Sequence, residues 1–326
     1  MSEFALIDRY FKRPARRSPL GVGDDCALLQ PAPGMQLATS TDMLVEGRHF
    51  LSTVDPCKLG HKALAVNLSD LAACGARPLA FSLALAMPRA EAEWLEPFSR
   101  GLFALADAHD CELVGGDTTR GPLNICITVF GEVPQGQALL RSGARAGDDL
   151  FVSGTLGDAR LALEVFRGTL SVPAAIFEQA RARMEEPTPR TALGQALRGI
   201  ASAAIDISDG LLGDLRHVLL QSGVGATIDT AAALGLLACT QSTAAGGAGF
   251  ALDPELQLEY VLAGGDDYEL AFTAPPVHRD AVQAAASQAD TRVTRIGRIE
   301  AEAGLRLVDA QGGLLDRRYA AFDHFA

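Results

Sequence analysis

Six short clusters of acidic, hydroxyl and glycine residues punctuate this chain: Gly23-Asp24-Asp25, Ser40-Thr41-Asp42, Asn67-Leu68-Ser69-Asp70, Gly115-Gly116-Asp117, Asp206-Ile207-Ser208-Asp209 and Gly264-Gly265-Asp266-Asp267. Carboxylate and hydroxyl oxygens are the donors that hard divalent cations take. Glycine lets backbone amides approach a phosphate closely. One such cluster is a turn. Six, set between apolar segments and mostly where a strand is expected to end, suggest one metal–phosphate site gathered from distant parts of the chain.

Each cluster also has an ordinary reading. Gly23-Asp24-Asp25 suits a turn between two strands. Ser40-Thr41-Asp42 could cap a helix, although it follows an apolar strand and runs into Met43-Leu44-Val45-Glu46-Gly47, which gives no clear helix start. Asp70 falls mid-helix by pattern, so it either faces solvent or is buried with a partner. Asp209 is a reasonable N-cap for the segment that follows, and His49 could be a half-buried imidazole. Asp206, among alanine and isoleucine in an expected strand, is harder to account for. These readings are linked: if the clusters converge, they change together.

Familiar nucleotide motifs are missing. A Walker loop needs Gly-Lys, and the chain's lysines, Lys12, Lys58 and Lys62, never follow glycine. Gly21-Val22-Gly23 is followed by Cys26 where a dinucleotide fingerprint needs its third glycine. His278-Arg279-Asp280 imitates a kinase catalytic loop, but Ala285 stands where its asparagine belongs and no Asp-Phe-Gly occurs.

The elements that must position these residues follow from length and pattern. With 326 residues, two domains are expected. A composition 48% hydrophobic and 21% charged suits a sizeable core. The net charge of −12 argues against non-specific binding to nucleic acid or to an anionic membrane. One Trp and four Tyr offer little for base stacking. The six cysteines form no Cys-x-x-Cys pair and match no zinc spacing, so reduced thiols in a cytoplasmic protein are expected. Arg13, Arg16 and Arg17 are not followed by an apolar stretch, so no signal peptide is expected. Leu79–Met87 is far shorter than the ~20 residues of a spanning helix.

Helices are expected over Glu3–Phe11, Pro56–Cys74, Glu91–Asp110, Ala159–Phe166, Gly210–Ser222 and Glu255–Leu262. Expected strands in the first half are Ala27–Leu29, Leu37–Ser40, Phe81–Ala86, Glu112–Val114 and Leu123–Val133. In the second half they are Leu150–Ser153, Ala203–Ile207, Ala226–Ile228, Leu270–Thr273, Val293–Ile299 and Leu305–Val308. Ala231–Gly249 reads as a loose helix and loop. Both halves mix strands and helices, so the fold class is mixed α/β, with a boundary near residue 147.

Taken in order, several segments resemble the thiamine-monophosphate kinase family. They are Gly21-Val22-Gly23-Asp24-Asp25-Cys26-Ala27, the run Ser40 to Phe50, Lys62 to Asp70, Gly115-Gly116-Asp117-Thr118-Thr119, Ser153-Gly154-Thr155-Leu156-Gly157-Asp158, Asp206 to Leu211 and Gly264 to Leu270. The wider superfamily contains aminoimidazole ribonucleotide synthetase, selenophosphate synthetase and a hydrogenase-maturation protein, which use ATP without a Walker loop. The resemblance implies two domains: 1–147 for ATP, magnesium and dimerisation, and 148–326 as a C-terminal α/β domain. It implies a homodimer, several Mg²⁺ ions, and transfer of the ATP γ-phosphoryl group to thiamine monophosphate in the last step of thiamine diphosphate formation. Matched metal positions are Asp25, Ser40, Thr41, Asp42, Asp70, Asp117, Asp206 and Asp209. Gly116, Asp117, Arg141 and Ser208 match ATP contacts, and His49, Asp266 and Phe322 match substrate contacts. Asp266 stands where the family commonly has glutamate, and Phe322 where a larger, polar-tipped aromatic often stands.

Phosphoryl transfer asks for in-line positioning and neutralisation of spreading charge rather than covalent chemistry. A phosphate acceptor is already ionised at neutral pH, so no general base is expected. Two alternatives stay open: another ATP-using synthetase of the same superfamily, and an acidic cation-binding regulatory protein without catalysis.

Overall fold

In the computed structural model, residues 3–238, 250–317 and 319 are described. They form two compact units, Met1–Leu71 with Ala76–Ala138, and Ala72–Gly75 with Leu139–Ala326. Among the described residues no helix is long and apolar enough to cross a membrane.

The first unit contains α1 (Glu3–Tyr10), β1 (Met35–Val45), α2 (Pro56–Ala73), β2 (Arg77–Met87), α3 (Ala92–Ala108), β3 (Glu112–Arg120) and β4 (Asn124–Pro134). The strands lie in the order β1-β4-β2-β3, with β2 and β3 parallel and the other pairs antiparallel. Strand alternation gives the sheet two unlike faces. Phe81, Leu83, Leu85, Ile125, Ile127 and Val129 are buried on one. On β1 the opposite face carries Leu37, Thr39, Thr41 and Met43, all exposed. Helices α2 and α3 approach closely at two glycines: a Cβ on Gly60 would fall 2.1 Å from the Phe98 carbonyl oxygen, and one on Gly101 1.8 Å from that of Cys57.

The second unit contains β5 (Asp149–Ser153), α4 (Asp158–Phe166), α5 (Ala174–Glu185), α6 (Thr191–Ala196), β6 (Ala203–Ile207), α7 (Leu211–Ser222), β7 (Gly225–Asp229) and α8 (Thr230–Leu234). It continues with α9 (Pro254–Ala263), β8 (Glu269–Ala274), α10 (Arg279–Gln288), β9 (Val293–Glu300) and β10 (Gly304–Val308). The strand order is β10-β7-β9-β5-β8-β6. Both sheet faces are covered. Leu150, Val152, Ile205 and Ile207 pack in one core with Leu161, Leu211 and Leu215. Phe151, Ala204, Leu270 and Phe272 pack in another with Leu193, Leu197 and Val282. Burial on both faces explains why β6 and β8 are buried without a break.

The mixed α/β class is as expected, with differences in extent. Strands β1, β2 and β3 are longer than their apolar runs, and β1 and β3 run through Ser40-Thr41-Asp42 and Gly115-Gly116-Asp117 instead of stopping before them. Neighbouring strands pair with Ser40, Thr41 and Asp42 of β1 and with Gly115, Gly116 and Asp117 of β3, so polar residues and glycines there do not end the strand. Ala27–Leu29 forms only the isolated bridge Leu20–Leu28. Helices α5, α6 and α10 were not expected. Their apolar faces are narrow, and only Ile176, Ala180, Met184 and Glu185 of α5 are buried. Of the expected loose segment Ala231–Gly249, residues 239–249 lie outside the described set.

Candidate active site

Two elements of the first unit bring three expected oxygen donors together. Ser40 and Asp42 are two residues apart on β1 and so share a face. The Ser40 hydroxyl donates to the carboxylate of Asp70, which lies in the last turn of α2 and not at mid-helix. Asn67, one turn earlier on α2, accepts the backbone N–H of Asp42 at 3.0 Å and donates to the Ala63 carbonyl at 3.0 Å. Strand β1 is the sheet edge, and Asn67 thus satisfies an amide there. Thr41 points to the other face, where its hydroxyl meets that of Thr128 at 2.8 Å. The Thr41 side chain is therefore not brought together with those of Ser40 and Asp42. Burial, and then the Asp42 carboxylate, push the Cys126 thiol up.

His49 follows the end of β1. Its Nδ1 accepts the Val45 backbone N–H at 3.0 Å, and its own N–H donates to the Val45 carbonyl at 3.0 Å. An accepting Nδ1 places the proton of the neutral ring on Nε2, a donor suited to an anionic ligand.

A cavity of about 990 Å³ in the same unit brings Asp25 together with Gly116 and Asp117, and Lys12, Ser82 and Phe130 also line it. The Lys12 ammonium pairs with Asp8 at 3.0 Å. One wall is the segment leading to Gly23-Asp24-Asp25, and Glu112 of β3 grips its base. Glu112 accepts the backbone N–H groups of Arg16 at 2.6 Å, Arg17 at 2.9 Å and Ser18 at 3.1 Å. Burial pushes the Glu112 carboxyl up, but the Ser18, Arg16 and Arg17 amides outweigh it and hold the group below its ordinary value.

In the second unit, Asp206 is 6% exposed within β6 and pairs in register with Leu270 of β8. The turn after β6 carries Ser208 and Asp209. One oxygen of Asp214 accepts the backbone N–H groups of Ser208 at 3.0 Å, Asp209 at 3.0 Å and Gly210 at 3.1 Å. Burial, and then the Asp209 charge, push the Asp214 carboxyl up to about 6 against those three amides. The neighbouring loop is stitched to the same turn: Asp266 N–H donates to Ser208 O at 2.7 Å, and Tyr268 N–H to Ile207 O at 2.8 Å. Asp266 and Tyr268 are both left-handed, at φ 64° and 51°, conformations that cost a non-glycine residue about 1–2 kcal/mol. Between them Asp267 is buried and accepts the Gly157 N–H at 3.0 Å. Burial pushes its carboxyl well up. Beneath the loop, Glu269 is fully buried and is held by Arg183 and Arg190, each at 2.6 Å.

Arg141 is exposed, and its carbonyl accepts the Ser222 hydroxyl at 3.3 Å. It thus sits at the far end of α7 from Ser208. That helix has 12 residues and is about 18 Å long. The structure does not bring the Arg141 backbone and Ser208 together. Phe322 lies outside the described residues. Asp214, Glu112 and Lys12 escape a reading based on motif clusters. The one sequence signal for Asp214 is an acidic residue in the first turn of a helix that follows a glycine.

The expected carboxylates lie in three places: Asp25 and Asp117 line one cavity, Asp42 and Asp70 lie on the two elements joined at the β1–α2 contact, and Asp206 and Asp209 lie at and just after the end of β6. Among the described residues no three His, Cys, Asp or Glu side chains are gathered closely enough to hold a metal ion. The chemistry of these donors, hard carboxylate oxygens, fits Mg²⁺, which is usually held by one or two carboxylates and completes its shell with water and substrate phosphate. The accompanying donors, the Ser40 hydroxyl and the Asn67 amide oxygen, are equally hard.

Residues 23–133 match the family described as AIR synthase related protein, N-terminal domain, and residues 145–310 its C-terminal domain. The chain is 46% identical over 333 residues to thiamine-monophosphate kinase of Salmonella typhimurium, an alignment covering 99% of this chain and 98% of that one. In structure it resembles thiamine-monophosphate kinase from Stenotrophomonas maltophilia K279a, with a TM-score of 0.83 and 45% identity over 94% of this chain and 96% of that one. It also resembles AaThiL complexed with AMPPCP and TMP, with a TM-score of 0.74 and 30% identity over 93% of this chain and 92% of that one.

Proposed function

The chain belongs to the thiamine-monophosphate kinase family, within the AIR synthase related proteins, and from that premise we propose that it phosphorylates thiamine monophosphate with ATP, giving thiamine diphosphate and ADP. The observation that carries this reading is the likeness to AaThiL complexed with AMPPCP and TMP, which extends over 93% of this chain. The reaction is the last step of thiamine diphosphate formation.

An oxygen of the acceptor phosphate attacks the γ-phosphorus in line, and the bond to the β–γ bridging oxygen breaks, leaving ADP. The acceptor oxygen is already anionic, so the chain supplies no base. Mg²⁺, when bound, offsets the negative charge of the phosphates. Asp25, Asp42, Asp70, Asp117, Asp206 and Asp209, with Ser40, are the residues to hold several such ions, and the hard donor sets support this. Thr41 is proposed as a further residue holding these ions, with its hydroxyl also engaged by Thr128. Gly116, Asp117, Arg141 and Ser208 bind ATP. His49 donates from Nε2–H to the acceptor phosphate, while Asp266 and Phe322 bind the thiamine end.

The first unit is proposed as the dimerising domain and the second as its α/β companion. Exposed Leu37 and Met43 on one sheet face, 47% and 51% accessible, support a homodimer. The net charge of −12 supports an enzyme that binds neither nucleic acid nor anionic membrane, and cysteines without a Cys-x-x-Cys pair support a cytoplasmic one.

The test is ADP release on mixing the chain with ATP, Mg²⁺ and thiamine monophosphate. Release that depends on the acceptor, with thiamine diphosphate as product, is expected. Nucleotide and cation binding without ADP release overturns the reading in favour of a regulatory protein, and release with a different acceptor favours another synthetase of the superfamily.

A further inference from the structure

Three consecutive backbone N–H groups, those of Ser208, Asp209 and Gly210, converge on a single oxygen of Asp214. A nest of amides just before a helix is a device that glycine-rich turns use to bind phosphate. Here the chain's own carboxylate fills it. Asp214 is 6% exposed and lies in the first turn of α7, so its carboxylate sits where a bound phosphate oxygen would.

We propose that Asp214 is a positioning residue that occupies the amide nest of the Ser208–Gly210 turn, so that the turn meets the nucleotide through oxygens of Ser208 and Asp209 and through none of its backbone N–H groups. The inference rests on the reading of Ser208 and Asp209 as nucleotide and cation contacts.

The rest of the turn agrees with this. The carbonyl of Ser208 is taken by Asp266 N–H at 2.7 Å and that of Ile207 by Tyr268 N–H at 2.8 Å. With three amides and the carbonyls of Ile207 and Ser208 committed inside the protein, what Ser208 and Asp209 offer a ligand is oxygen: their half-buried side chains and the Asp209 carbonyl. A phosphate approaching the nest meets an anion at hydrogen-bond distance and is repelled, whereas a cation meets Asp209 with Asp214 behind it. The turn therefore selects nucleotide that carries a divalent cation over free nucleotide. It looks like a phosphate loop in sequence and is a cation-facing one in structure.

Hydrogen exchange at the amides of residues 208–210 tests this in the wild-type chain without turnover. Buried amides already bonded to Asp214 exchange slowly in the free protein, and adding AMPPCP with Mg²⁺ should change their rates little. Fast exchange in the free chain that becomes slow on adding AMPPCP overturns the proposal, because the nest would then be binding phosphate itself. A second measurement uses Asp214→Asn, which keeps an oxygen acceptor but not the charge. The Mg²⁺ concentration needed for half-maximal AMPPCP binding by calorimetry should rise about 10- to 100-fold, the usual cost of losing a group that orients a metal ligand. An unchanged Mg²⁺ dependence with only a lower Tm makes Asp214 merely structural and overturns the proposal. Should that variant not fold, exchange in the wild type decides. Absence of ADP release by the wild type would sink the kinase reading while leaving the exchange result to stand or fall separately.

Discussion

The backbone N–H of Asp266 donates to the carbonyl oxygen of Ser208 across 2.7 Å. Through this bond the turn assigned to nucleotide and the loop assigned to the thiamine end share one backbone position. Gly265 lies beside it at φ +70°, where a Cβ would fall 2.9 Å from Ser208 O. Gly265→Ala should therefore displace both segments, lowering kcat/KM for ATP and for thiamine monophosphate by at least about ten-fold each, the equivalent of about 1.4 kcal/mol. Steady-state kinetics with each substrate varied in turn checks this. A loss confined to one substrate would show that the two segments move independently.

Asp42→Asn should abolish most turnover and leave the fold intact. The Asp42 backbone N–H bonds to Asn67, and that bond survives the substitution while a ligand charge is lost. Activity at limiting Mg²⁺ should fall by about 10²-fold or more, with the circular dichroism spectrum unchanged. Near wild-type activity under those conditions would remove Asp42 from the site.

Glu112→Gln should cost about 1.5–3 kcal/mol, the range for hydrogen bonds to a charged group, and the cost should depend on pH. The folded-state pKa of Glu112 lies below its ordinary value of 4.5. Its contribution is therefore fully present above that value and is lost as the pH falls through the folded pKa. The Tm gap between wild type and variant should be widest near neutrality and close on acidification below about pH 4. A gap of constant size across that range would mean that the carboxylate charge does not hold the Arg16–Ser18 segment.

Leu37→Glu with Met43→Glu should shift the protein from dimer to monomer in analytical ultracentrifugation. Both side chains lie on the exposed face of β1, where a charge costs little in the monomer but much once buried against a second copy. Dimers of undiminished stability would move the interface elsewhere.

Several candidate site residues stand out in the sequence because they break the pattern around them. Asp70 interrupts an apolar helix and Asp206 an apolar strand, and the structure gives each that setting. The run Ser40-Thr41-Asp42 was harder to place. It reads as a possible helix cap after a strand that stops at Ser40, yet β4 pairs with every residue of β1 from Met35 to Val45, a long-range fact that local sequence does not carry. Asp214 was invisible for a different reason. Its helix announces itself by Leu211, Leu212, Leu215 and Leu219, and the acid among them reads as the polar side of an amphipathic helix until its three amide partners are seen. Lys12 and Glu112 belong to no cluster, and only tertiary packing brings Lys12 to the cavity of Asp25 and Gly116 and Glu112 to the amides of Arg16, Arg17 and Ser18.

The amides that Glu112 grips lie 94 to 96 residues before it in the chain. At about 5–20 residues per second, a ribosome takes roughly five to twenty seconds to make the stretch between them. For all that time the amino-terminal segment has been synthesised but has nothing to close against. Contacts across such separations form late in folding because they carry the largest loop-closure cost. The loop of Asp24 and Asp25 is thus among the first parts of the molecule to be made and among the last to be seated. A nascent chain has no finished cavity, and the pocket comes into being only when the third strand of the sheet reaches back to collect it.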